Sequence, residues 1–260
     1  MQLDHTRIAI RERGYLEILD LALHVVPAQG KPLLAWLAAG IVPCAVVNHW
    51  LLAGYLETEL DMVFPAGYVF FMLLLAFWEV PLATAPATLY LGHAMFRETA
   101  ERRKIARELL ESLPQLFFYQ VLLRPVFAWT RPFLNEVILL ERNPMRSQSG
   151  SSRSTSQRSK TFHGGESDPF GRWLGGLTFG GTLFAAIWAS AYILRSILVG
   201  DWNWHLSMVT VYFPLALWTV AAYLAVVRFL SYLDLRIRRE GWEVELMMRA
   251  EAARLTRAWR

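Results

Sequence analysis

Residues 32–52 read PLLAWLAAGIVPCAVVNHWLL, with no Asp, Glu, Lys or Arg among them. A helix of about 20 such residues covers the roughly 30 Å of hydrocarbon in a bilayer, so this stretch predicts a transmembrane helix. Three comparable blocks follow at Met62–Met95, Leu174–Leu194 and Leu206–Val227. They account for a chain that is 55% hydrophobic with a positive mean hydropathy, which is high for a soluble domain. The expected fold is an all-α polytopic membrane helix bundle. Its spans are placed at about 32–52, 62–88, 173–195 and 206–228.

Outward from the spans, charge supplies the topology. Between the first two blocks stand Glu57, Glu59 and Asp61 without a Lys or Arg, and the segment Val199–His205 holds only Asp201. Thirteen Lys or Arg fall between Arg97 and Arg172, and eight more between Arg228 and Arg260. The positive-inside rule therefore puts both termini and the middle region in the cytoplasm and two short hairpin loops outside. Net charge of +4 distributed in this way speaks for topology and contact with the lipid bilayer, and against nucleic acid as a partner. The residues before the first span include Asp4, Arg7, Arg11, Glu12, Arg13, Glu17 and Asp20 and present no cleavable apolar leader, so the first span is expected to persist as an anchor. Cys44, the one cysteine, excludes an intrachain disulfide.

The chain divides into a first repeat (1–113), an interfacial helical segment (114–144), a serine-rich basic linker (145–171) and a second hairpin with its C-terminal helix (172–260). In the first repeat, Ile8, Tyr15, Leu19, Ala22 and Val26 share one face of an amphipathic helix that ends at Pro27–Gly30. Glu79, Pro81 and Pro86 interrupt the second block and predict a kink. Arg97–Leu113 then reads as a charged cytoplasmic helix. Residues 114–140 are apolar but broken by Arg124, Pro125, Arg131 and Pro132, which favours an interfacial or packed segment over a fifth span. Seven of the thirteen residues from Ser147 to Ser159 are serine, the composition of a flexible tether.

The halves echo each other: Leu52-Ala53-Gly54 and Phe64-Pro65 at one outer turn, Leu198-Val199-Gly200 and Phe213-Pro214 at the other. Both begin inside, so two parallel repeats about an axis along the membrane normal are expected. Glu79 and Arg228 each fall fourteen residues after the aligned proline, which makes them a candidate intramembrane polar pair. The alternative is that Arg228 snorkels to the headgroups while Glu79 faces a wet crevice. Gly176 and Gly180 have the spacing of a helix-packing motif. Ile237, Val244, Met248 and Leu255 belong to an apolar stripe on the C-terminal helix, a candidate surface for a protein partner or a second copy of the chain.

Catalytic signals are lacking. His24, His49, His93 and His205 show no metal-ligand spacing, no serine sits in a GxSxG turn, and the glycine pairs lack the lysine of a phosphate loop. No metal, cofactor or catalytic residue is assigned.

Pro81-Leu82-Ala83-Thr84-Ala85-Pro86 followed by Gly92, Arg97 and the helix ending Leu113-Pro114, together with Tyr232-Leu233-Asp234-Leu235-Arg236-Ile237-Arg238-Arg239-Glu240-Gly241, resembles bacterial multi-pass proteins grouped with the membrane domain of glycerophosphodiester phosphodiesterases. The resemblance implies a bacterial inner-membrane protein without the catalytic barrel, for which this chain has no room. The leading expectation is a non-enzymatic membrane subunit or scaffold that presents cytoplasmic helices to a partner complex. A small transporter or channel component using Glu79 is the alternative.

Overall fold

The structure, a computed structural model, describes residues 13–58, 65–96, 101–145, 154–163 and 169–240. Within them the chain is an all-α bundle, and four of its helices are long and apolar enough to cross a membrane. α1 (Tyr15–Thr58) joins the expected interfacial helix to the first span across a break at Gly30, whose φ of 37° and ψ of −123° few other residues adopt. α2 (Ala66–Phe96) stays helical through Pro81 and Pro86. α7 (Pro169–Val199) and α8 (Phe213–Glu240), the latter led in by a wider π turn at Met208–Tyr212, make the second hairpin.

α1 packs along α2 and α8, and α2 also meets α8. The α1–α2 seam is tight at Gly40, where any Cβ would run into the backbone carbonyl of Ala83. Only glycine allows that approach, which makes Gly40 the residue through which the first hairpin closes. α7 rests on α8 and meets the segment between the hairpins through α4 (Arg124–Thr130), with no extended α2–α7 seam to mirror the α1–α8 one. The two hairpins therefore repeat in kind while their packing does not.

The segment between the hairpins fills the asymmetric place. α3 (Arg102–Leu116) turns back along α2, continues as π turns over Phe117–Leu122, and is followed by α4 (Arg124–Thr130) and a return limb of α5 (Leu134–Glu136) and π turns at Val137–Glu141. The return limb supplies Leu134, Ile138 and Leu139 to a core shared with Leu33, Leu89, Leu91, Val226 and Phe229. Packing of these side chains against α1, α2 and α8 makes the return limb part of the bundle rather than a surface segment.

Within the serine-rich region the described residues depart from the expected tether. Residues 155–163 form α6 (Thr155–His163), which docks on the return limb. Arg158 grips both oxygens of Glu141 at 2.5 and 2.9 Å. Thr155 Oγ1 donates to the carbonyl of Asn143, and His163 Nε2 accepts the Phe133 backbone N–H at 3.2 Å. Composition undervalued these residues because their contribution is polar and lies in a few directed hydrogen bonds to particular groups.

A candidate intramembrane polar site

The charged helices and the Glu240 end of α8 define a basic end of the bundle, and the Thr58–Ala66 and Val199–Phe213 connections define the opposite, loop end. Glu79 lies on α2 one turn from Ala83, so the Gly40 crossing draws α1 close enough for Asn48 Nδ2 to donate to Glu79 Oε2 at 2.6 Å. Asn48 is buried, and its Oδ1 has no partner. Glu79 is half-buried and has no cation beside it among the described residues.

The expected Glu79–Arg228 pair does not form. Arg228 donates to the Pro132 carbonyl at 2.8 Å and to Glu136 Oε2 at 3.1 Å, and Glu136 is 1% exposed. The repeat alignment put Glu79 and Arg228 in register along the axis, but the segment 117–141 brings its own carboxylate to the arginine first. Both bonds leave from Arg228 Nη2, and the ion pair with the buried Glu136 compensates the arginine's charge.

Around this pair the segment adds further polar groups. Arg124 donates through Nη1 to Gln120 Oε1 at 3.0 Å and lies 4.6 Å above the centre of the Phe77 ring, a cation–π contact, while its Nε has no partner. Asn135 Nδ2 donates to the Pro81 carbonyl at 3.4 Å, and its Oδ1 is buried without a partner. Asn48 Oδ1, Arg124 Nε and Asn135 Oδ1 are thus buried polar atoms of this part of the bundle without a protein hydrogen-bond partner.

At the basic end a second cluster joins three elements. His93 Nε2 meets Glu108 Oε2 at 2.5 Å, and Arg142, which leaves the return limb with a φ of 51°, forms an ion pair with the same oxygen. Burial alone would raise the Glu108 carboxyl, but the Arg142 and His93 bonds outweigh it and hold the group below its ordinary value. Asp234 of α8 likewise accepts the Arg13 backbone N–H at 2.8 Å and pairs with Arg238 at 2.9 Å, tying the start of α1 to α8.

The helix-packing glycines differ from each other. A Cβ on Gly180 would stand 2.8 Å from Leu224 Cδ1 of α8, so Gly180 is a real point of approach, whereas Gly176 faces only the Tyr15 hydroxyl at 3.8 Å. Ile237 is buried against the chain itself, and Val244, Met248 and Leu255 lie outside the described residues. No group of three or more His, Cys, Asp or Glu side chains that could hold a metal ion occurs among the described residues. Sequence reasoning overlooked Glu136 and Asn135 because adjacent polar residues in an apolar run look like an interruption; their position immediately after Arg131-Pro132, opposite an arginine in a span, was the available signal.

Comparison of the chain with protein-family models, with curated proteins and with solved structures finds no match, so the chemistry of the site rests on its own geometry.

Proposed function

We propose that the chain is a membrane transport subunit in which Glu79 takes up and releases a proton or a small monovalent cation. The observation that carries this reading is the Asn48–Glu79 contact: a carboxyl inside a span bonded to a neutral amide, with the counter-charge that the repeat alignment assigned to it, Arg228, bonded instead to Glu136. A carboxyl so held exchanges a proton or cation without breaking an ion pair, and ionisable groups within spans are functional candidates for that reason. The basic end faces the cytoplasm in this reading, as the positive-inside bias favours, with both termini on that side of a bacterial inner membrane. No catalytic role is part of this reading.

The scaffold reading has less behind it. Ile105 and Leu116 of α3, and Leu235 and Ile237 near the end of α8, are buried within the chain, so the chain itself covers these apolar residues of the two helices that a partner would have to meet. Flux separates the two readings. Purified protein in liposomes loaded with a pH-, Na⁺- or K⁺-reporting dye matched to the gradient is expected to dissipate an imposed proton, Na⁺ or K⁺ gradient, and Glu79→Gln is expected to abolish that flux while keeping the wild-type melting temperature. Wild-type flux no greater than that of protein-free liposomes under all three gradients overturns the transport reading.

A further inference from the structure

We infer that residues 113–141 form a re-entrant hairpin that dips into the leaflet at the basic end and returns to the same side, with its exposed apolar face against lipid acyl chains. The register of its two limbs along α2 carries the inference. On the way in, Glu108 lies beside His93 and the Val121 carbonyl accepts the Trp78 indole N–H at 2.8 Å. On the way out, Asn135 lies beside Pro81, Leu140 beside Gly92, and Arg142 returns to Glu108. Both limbs therefore start and finish near residues 92–93 of α2, and the turn between them lies near residues 77–81.

That level is well inside a span. Trp78 is twelve residues from Ala66, about 18 Å along the helix at 1.5 Å per residue, in a helix of which residues 66–95 form a candidate span. With hydrocarbon beginning at the Ala66 end and running roughly 30 Å, the tip sits on the order of 10 Å inside the opposite boundary.

The surface chemistry agrees with the depth. From Leu113 to Trp129 there is no acidic residue and one cation, Arg124, which is held by Gln120 and the Phe77 ring, and Arg131 at the turn itself is held over the Phe127 ring and donates to the Ser156 carbonyl and hydroxyl of α6. Phe117, Leu122, Val126 and Trp129 are 56, 60, 59 and 49% exposed, an apolar face continuous with the exposed Leu110 and Leu113 of α3 and preceded by Arg102, Arg103, Lys104 and Arg107 at headgroup level. A patch of this kind has no place in water on an isolated chain. Backbone groups at the tip are also satisfied, as hydrocarbon requires: the Arg131 N–H reaches Phe127 O, the Leu134 N–H reaches Arg131 O, and the Phe133 N–H reaches His163.

The test uses full-length protein in proteoliposomes, carrying Cys44→Ala and one nitroxide-labelled cysteine. Val126→Cys and Trp129→Cys are expected to be relaxed more by oxygen than by a water-soluble nickel chelate, and Glu111→Cys the reverse; Leu122→Cys substitutes for either face variant if it does not fold. Dominance of the nickel chelate at the face positions overturns the inference, as does protection from both agents, which would mean that protein covers the face. An impermeant maleimide is expected to reach Glu111→Cys and Met145→Cys from the same side of the membrane. Labelling from opposite sides would make the segment a fifth span and overturn the hairpin.

Discussion

α7 and α8 are both long enough to span and nearly equal in apolarity, yet 44% of the most apolar window of α8 is buried in the bundle against 6% of that of α7. Among Leu174–Val199 only Gly180 and Ser196 are buried, whereas α8 buries Phe213, Trp218, Val226, Phe229 and Tyr232 and forms directed bonds through Arg228, Tyr232 and Asp234. Lipid tails are as apolar as a leucine-lined interior, so hydropathy cannot separate a central helix from a peripheral one. Polar groups can, because they need partners that lipid does not offer.

The widest gap between the two helices is expected from large-to-small substitution. Phe229→Ala, at a fully buried site, should destabilise the protein by about 3 to 5 kcal/mol. Ile193→Ala on α7, whose side chain is half exposed, should stay within about 0.5 kcal/mol. Melting in mild detergent checks both, and comparable losses would mean that α7 is covered in the working protein, as by a second copy.

Next comes the clasp between α8 and the segment 117–141. Arg228→Met leaves Glu136 buried without its cation and should destabilise by about 3 kcal/mol, the low end for such pairs because Arg228 is partly exposed. Adding Glu136→Leu should recover most of that loss, while adding Glu79→Leu instead should not. Recovery with the Glu79 partner would restore the pairing expected from the repeat.

The smallest effects sharpen the comparison on α7 alone. Gly180→Ala meets the flexible end of Leu224 and should lower stability by about 1 kcal/mol or less, because Leu224 can yield. Gly181→Ala meets nothing within 4 Å and should be neutral or stabilising by up to about 1 kcal/mol from helix propensity. A reversed order would put the α7–α8 contact on the other glycine.

How much was legible follows the same division. Pro32–Leu52 and its three counterparts were readable as spans, the break before Lys31 as a break, and Glu79 as a group needing a partner, because hydrophobic length, backbone chemistry and the rarity of a charge in such a run are properties of one segment. Whom Glu79 and Arg228 meet depends on which segments share a level. Asn48 arrives only through the Gly40 crossing, and Glu136 only through a limb whose arginines and prolines had marked it as an interruption. The docking of α6 turned on the paired bonds that Arg158 donates to Glu141 and the one that His163 accepts from the Phe133 N–H, across 17 and 30 residues of sequence, which no composition records. The sequence by itself determined four apolar spans and their charge asymmetry, since the solvent that each segment tolerates follows from its own side chains. Tertiary structure decided the rest: which span sits at the centre, which carboxylate holds Arg228, and where residues 113–141 go. Those outcomes depend on short-range, directional bonds between groups far apart in the chain, whose energy appears only once the backbone has brought donor and acceptor together.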